Sequence, residues 1–319
     1  MLSLKFSLRV GLLFWLSSAA MAQPLTARSV TANTYIERGN ASYAKGEWDR
    51  AIADYDLAIA TDPTLAGAYY NRGIALCQKS DWDNAMADLD HAIQLDPQFV
   101  LAWVNRAGAR YRKGDLDGAI NDCTEAIRLS PRLAKAWSNR GLARMEKNDF
   151  TNALADFDRA LTLDSRLADT WSDRGALKYK MGAYAAAIED HTRAIKLNPD
   201  YANAYNDRGA ARQANGDQAG ALADYERALA LNPASAITYY NRAMLWFKRS
   251  EWARAVADYD QVIMLNPQHA NAYCNRGLAW LRQKDEAAAQ RDFDRCLTLN
   301  PSLQHSLETP SNTGNGKKK

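Results

Sequence analysis

A three-residue phrase returns along this 319-residue chain at one fixed spacing. An acid or amide, an arginine and a glycine or alanine stand together at Glu37–Arg38–Gly39, Asn71–Arg72–Gly73, Asn105–Arg106–Ala107 and Asn139–Arg140–Gly141. The same phrase follows at Asp173–Arg174–Gly175, Asp207–Arg208–Gly209, Asn241–Arg242–Ala243 and Asn275–Arg276–Gly277. Each lies 34 residues after the last, without insertion or deletion. Residues 32–303 thereby divide into eight units: 32–65, 66–99, 100–133, 134–167, 168–201, 202–235, 236–269 and 270–303. A fixed period of this length makes each unit one supersecondary element that buries its apolar face against its neighbours, which overrides any domain count taken from length.

Other positions of the unit recur as strictly. The fourth is aromatic (Tyr35, Tyr69, Trp103, Trp137, Trp171, Tyr205, Tyr239, Tyr273) and the twentieth is alanine from Ala51 to Ala289. The thirty-second is proline in every unit except one, where Ser165 stands. Small residues at the eighth and twentieth positions let two helices approach, and the aromatic residue fills the wedge between neighbouring hairpins. Proline stops the second helix, having no N–H to continue it. Between the helices, "KGEW", "KSDW", "KGDL" and "KNDF" carry the Gly, Ser, Asn and Asp of a tight turn.

These landmarks resemble those of the tetratricopeptide repeat family, over residues 32–303. The resemblance implies an all-α fold: an α-solenoid of eight helix-turn-helix repeats, forming a right-handed superhelix of about one turn with the first helices lining its concave face. The seventh position departs from the family, which carries an apolar residue there. Here it is always arginine, and the twenty-third is always aspartate (Asp54, Asp88, Asp122, Asp156, Asp190, Asp224, Asp258, Asp292). Both positions are equally far from the turn of their own hairpin, and also from the proline turn between units. Each inner arginine is therefore expected between two aspartates, in a continuous structural ladder suited to the planar guanidinium fork.

The sixth position lies about 100° around the helix from the arginine, away from the hairpin interface. Its residues, Asn71, Asn105, Asn139, Asp173, Asp207, Asn241 and Asn275, with Glu37 in the first unit, would by the resemblance face the concave groove. Such amides can donate to and accept from an extended peptide, or simply bond locally, and both readings stay open. Ile36, Tyr43, Tyr70 and Ile74 in the early units, and Ile237, Tyr240, Met244 and Phe247 in the seventh, are expected in the same groove. Arg110, Arg144, Lys178 and Arg212, at the eleventh position, read as a solvated charge stripe at its edge. The family's carboxylate clamp is incomplete: Asn40 and Asn71 match it, but Ile36, Leu101 and Asn105 stand where cations belong.

Lys5 and Arg9 precede the apolar run Val10–Leu16, and Ala20–Met21–Ala22 closes it, the layout of a signal peptide (1–22) cleaved before Gln23. A short linker (23–31) would lead into the repeats. After Leu303 a partial cap and a basic tail (304–319) follow, reading as disordered from Thr309, so the last repeat is weakly capped. The leader cations Lys5, Arg9 and Arg28 and the Lys317–Lys319 tail account for more than the formal charge of +3. The repeats thus lack the basic footprint of a nucleic-acid binder. Cys123 and Cys296 read as small core fillers, with a Cys274–Cys296 bridge inside one hairpin as the lesser alternative. The histidines (His91, His191, His269, His305) are isolated, which offers neither a metal site nor a catalytic triad; His191 takes an aromatic position and reads as core.

No cofactor and no enzyme chemistry are expected. The residues point to an exported scaffold, soluble after signal cleavage in the periplasm or outside the cell, that binds a protein or peptide segment in its groove. The groove residues named for this are the sixth-position row with Tyr70, Tyr240 and Phe247. A structural subunit self-associating through its C-terminal repeat is the rival, and carbohydrate binding by groove aromatics the weaker one.

Overall fold

The computed structural model describes residues 27–304; the expected leader and most of the tail lie outside the described residues. Sixteen α-helices, all that the described residues contain besides a 3-10 turn at Pro301–Leu303, pair as hairpins. These are α1 (Ala27–Ala44) with α2 (Trp48–Thr61), α3 (Ala66–Gln78) with α4 (Trp82–Leu95), α5 (Val100–Lys113) with α6 (Leu116–Leu129), and α7 (Ala134–Glu146) with α8 (Phe150–Leu163). Then come α9 (Ala168–Lys180) with α10 (Tyr184–Leu197), α11 (Ala202–Ala214) with α12 (Gln218–Leu231), α13 (Ala236–Lys248) with α14 (Trp252–Leu265), and α15 (Ala270–Arg282) with α16 (Glu286–Leu299). They form two compact units, one ending at Asp173 and the other beginning at Arg174. Within each, first helices of successive hairpins touch: α1 on α3, α3 on α5 and α5 on α7, and in the second unit α11 on α13. First helices therefore make the inner face of each unit.

The turn inside every hairpin uses a left-handed residue at the fifteenth position. Glycine supplies it at Gly46, Gly114, Gly182 and Gly216, and Ser80, Asn148, Ser250 and Lys284 adopt it at φ between 61° and 69°. The core between paired helices is built on the twentieth-position alanines, all at most 2% exposed, and on large residues at the twenty-fourth. The eighth position has to be small because of the latter. A Cβ on Gly39 would come within 2.6 Å of the Tyr55 ring, and one on Gly209 within 2.8 Å of Tyr225. His191 fills the same place against Gly175 and is fully buried. Ala107 faces only Cys123, the smallest residue of the set. Cys274 and Cys296 are joined by a disulfide across α15 and α16, so Cys296 is more than a filler.

The arginine and aspartate of each unit meet in all eight hairpins. Arg72 donates through Nε and Nη2 to both oxygens of Asp88 (2.7 and 2.6 Å), Arg140 to both of Asp156 (3.0 and 2.8 Å), and Arg208 to both of Asp224 (2.9 and 2.7 Å). The remaining arm does not reach the preceding unit's aspartate at position 23, as the ladder required. It reaches position 25 instead: Arg72 to Asp56 (2.6 Å), Arg106 to Asp90 (2.5 Å), Arg276 to Asp260 (2.6 Å), with the Thr124 and Thr192 hydroxyls receiving Arg140 and Arg208. The reason is helical rotation. Two residues turn the helix by about 200°, so position 23 faces its own partner and position 25 faces the next hairpin.

Seven of these guanidinium groups also lie over the aromatic ring three residues earlier, for example Arg106 over Trp103 at 4.7 Å and Arg140 over Trp137 at 4.8 Å. The indoles of Trp103, Trp137 and Trp171 donate to the carbonyls of Pro97, Pro131 and Ser165 (2.9–3.1 Å). Because the acceptor is a main-chain carbonyl, Ser165 substitutes for proline without losing that bond.

The eleventh-position cations are not a solvated stripe. Arg110, Arg144, Lys178 and Arg212 turn into the hairpin and reach Asp122, Asp156, Asp190 and Asp224 at 2.7–3.0 Å. The four middle aspartates, each 2–3% exposed, are thereby held by two cations apiece.

Asp156→Ala strands both Arg140 and Arg144, and is expected to cost about 3–5 kcal/mol in urea unfolding. Arg140→Ala should cost less, because Arg144 still serves the carboxylate. Arg38→Ala should cost least, since that side chain is 58% exposed against 11% for Arg140. A second prediction concerns His191, whose burial lowers its pKa to about 4. Between pH 6.5 and 4 the unfolded chain takes up the proton and the folded one does not, so stability falls as pH falls. His191→Phe should remove about 2–4 kcal/mol of that acid sensitivity, read as the difference between melting curves at pH 7.5 and 4.

Candidate functional site

Side chains of the first helices that are not consumed by the hairpin interior lie on the inner face of each unit, at positions 2, 5, 6, 9 and 12 of the repeat. In the first unit this face is largely closed. Tyr70 is buried against Phe99 with ring centroids 4.6 Å apart, and its hydroxyl accepts from Asn105 Nδ2 (3.1 Å). Tyr43 packs on Trp48 at 4.7 Å and accepts from Gln78 (3.0 Å), and Ile74 is 6% exposed. The early aromatics expected in an open groove are thus core residues. Each finds a ring from the adjoining second helix or inter-repeat turn.

The sixth-position row behaves as inter-repeat wiring. Asn71 donates to Asn40 (3.0 Å), and Asn105 donates to Leu101 O (2.8 Å) as well as to Tyr70. Asn105 and Asn139 are only 9% and 7% exposed. Asp173 is half-buried; burial foremost, then Glu146 and Asp173, raises the phenol of the half-buried Tyr111. In the second unit Asn241 Nδ2 donates to Asn206 Oδ1 (3.0 Å), and Asn275 Nδ2 donates to the Tyr240 hydroxyl (2.9 Å). Four of the five asparagines of the row thus spend a donor on the fifth or ninth position of the preceding repeat, a pairing across 31 or 35 residues that no single repeat displays.

The inner face of the second unit differs. Ile237, Met244 and Leu278 are 40%, 43% and 37% exposed, and Phe247 is half-buried, edge-on to Trp252 at 4.9 Å. Tyr240 packs between Tyr259 and His269. On α11, which packs against α13, stands Asp207, whose Oδ1 accepts from Asn206 (3.0 Å) and with which no cation is paired among the described residues. Burial without a compensating charge pushes its carboxyl up to about 6, offset only in part by the amide. Burial foremost, with Tyr184 and then Asp207 adding to it, raises the Tyr179 phenol; burial, Tyr179 and Asp207 raise Tyr225. Among the described residues no group of three His, Cys, Asp or Glu could hold a metal ion, and no helix is long and apolar enough to cross a membrane.

Stacked helical hairpins of constant length, with one face left to outward-looking side chains, define the class of helical repeat scaffolds. Family models described as tetratricopeptide repeat or TPR repeat match residues 39–79, 70–134, 104–168, 140–205, 202–235, 245–284 and 270–303. The chain belongs to the tetratricopeptide repeat family, an α-solenoid fold that carries protein–protein interactions and is generally non-enzymatic.

Similar solved structures include a tetratricopeptide repeat protein from Parabacteroides merdae, at 19% identity over 78% of this chain and 99% of that one, with a TM-score of 0.62. Pseudomonas aeruginosa PilF is similar at 18% identity over 69% of this chain and 100% of the other, with a TM-score of 0.60. The Cut9–Hcn1 hetero-tetramer of the APC/C matches at 15% identity over 89% of this chain and 56% of the other, with a TM-score of 0.66. At these identities the likeness is one of fold. A search of curated protein sequences finds no match.

Asp207 carries a pH signature. Its folded carboxyl binds a proton up to about pH 6, whereas the unfolded one releases it near 4. Stability therefore declines as pH rises through that window, opposite in sign to His191. Asp207→Asn should stabilise the chain by about 1–3 kcal/mol at pH 7.5 and leave it unchanged at pH 3.5, measured by denaturant titration at both values.

Proposed function

We infer that the chain is an exported scaffold that holds an extended segment of a partner protein on the inner face of its first helices, serving the assembly of an envelope complex. The observation that carries this reading is the inner face of α13 and α15. Large apolar side chains stay exposed there, although every charged rung beneath them is neutralised inside the hairpins. A scaffold that used the face only for packing would have closed it, as the first unit does. Export is supported by the leader pattern ending Ala20–Met21–Ala22 and by the Cys274–Cys296 bridge, which suits an oxidising compartment.

Self-association through the C-terminal repeat is the second reading, since Leu281, at the twelfth position of the inner face on α15, is 44% exposed and a second copy would cover it. Sedimentation velocity over a hundredfold concentration range separates the two readings. The scaffold reading expects a monomer that shifts only when a partner segment is added.

Peptide capture is tested on an unbiased array of short peptides probed with the labelled chain. Binding is expected, with loss of at least about tenfold in affinity on replacing the exposed Met244 by Asp. An array with no binder, or binders indifferent to Met244→Asp, would remove the inner face of these repeats as the site. Mass spectrometry of the protein from its own host is expected to find Gln23 at the N-terminus of the exported pool. A mature chain that still carries residues 1–22 would contradict export by cleavage.

A further inference from the structure

The inner face across α11, α13 and α15 has a sidedness that narrows what could lie on it. Asn241 is tied to Asn206, and Asn206 to Asp207, so the floor beneath α11 and α13 is a single bonded strip. Asn275 tied to the Tyr240 hydroxyl continues the floor from α13 to α15. What these bonds leave over is unequal from end to end. On α11 there is one carboxylate, Asp207, half-buried beside phenol rings and served by an amide alone. On α13 and α15 there are exposed apolar side chains, Ile237 and Met244, then Leu278.

The contrast with the rest of the protein is informative. The repeated aspartates at the twenty-third position are all held by an arginine, in the middle repeats by a second cation as well. Asp207 has none of this, and burial holds its carboxyl at about 6 for that reason. A group that opposes its own ionisation in the free protein gains from any cation brought to it. A lone carboxylate lacks the donor set for a divalent metal. An ammonium or guanidinium suits it. An anionic lipid surface would be repelled at Asp207, which favours a peptide over a lipid as the occupant.

Spacing supplies the rest. Packed helices lie about 8–10 Å apart, and an extended chain advances about 3.3 Å per residue. One helix step thus equals about three residues of an extended ligand.

Building on the peptide reading above, the geometry points to a specific ligand class: an extended peptide with one Lys or Arg seated on Asp207 and two apolar residues, about three and about six positions away, on Ile237–Met244 and on Leu278. The recognition is electrostatic at one end and apolar at the other. The apolar contacts contribute most of the affinity, and the charge sets register and excludes acidic sequences.

The test uses the purified full-length chain and blocked Gly/Ser peptides carrying one Lys and two Leu at three-residue steps, made in both chain directions. Comparison peptides replace Lys by Gln, or both Leu by Ser. Fluorescence anisotropy at pH 7.5 should show, for one direction, the Lys peptide binding about tenfold more tightly than its Gln counterpart. Asp207→Asn, which is expected to fold at least as well as the parent, should erase that difference by weakening the Lys peptide alone. Met244→Ser should weaken both peptides by a similar factor, and the Ser-substituted peptide should not bind.

Equal affinity for Lys and Gln peptides on the parent chain, or a Lys preference that survives Asp207→Asn, would overturn the assignment while leaving peptide capture standing. Binding by neither these peptides nor any on the unbiased array would remove both. Concentration-dependent dimers that Met244→Ser disrupts, without peptide binding, would show a second copy of this chain as the occupant instead.

Discussion

A guanidinium held by a carboxylate inside each hairpin is the contact from which the rest of this molecule follows. Desolvating an arginine and an aspartate in a helical interior is costly, and the pair recovers that cost only with good geometry and full hydrogen bonding. Here the bidentate fork, the arm to the preceding hairpin and the aromatic ring beneath occupy the whole guanidinium at once, as at Arg72 and Arg106. The same side chain closes a hairpin and docks it on its predecessor. Repeat length is consequently constrained, because one inserted residue in either helix would rotate the aspartate out of reach.

Satisfying charge inside the hairpins has a consequence on the surface. Inner-face residues are released from neutralising the arginines and can be spent on neighbours or on a partner. In the first unit they are spent on neighbours: tyrosines turn into the core and amides bond from repeat to repeat. In the second unit Ile237 and Met244 stay outside. Asp207 marks the change, an acid in a row otherwise rich in amides, set where no arm of any arginine arrives.

The middle repeats carry a further device. The eleventh-position cations reinforce Asp122, Asp156, Asp190 and Asp224, whereas Ser42, Leu76, Trp246 and Trp280 occupy that position in the outer repeats. The doubly held aspartates are also among the least exposed. Burial raises Asp122 above its usual range even so, with Arg106 and Arg110 opposing the shift. A second cation is what such depth requires.

The linear order of residues by itself determined the period, the helical hairpin, the small eighth and twentieth positions, the core place of His191 and the pairing of positions 7 and 23. All of these are contacts within one unit, where distance from a turn tells which residues meet. Tertiary structure alone decided where the free arm of the inner arginines goes, the inward turn of the eleventh-position cations and the closure of the early inner face. It also decided that Asn71, Asn105, Asn241 and Asn275 are wired to the preceding repeat rather than left open. The physical reason is common to them. Contacts between hairpins depend on the rotation of one helix against another, and a long side chain goes to whichever buried charge or ring it can reach. Neither quantity is written in the periodicity of a single repeat.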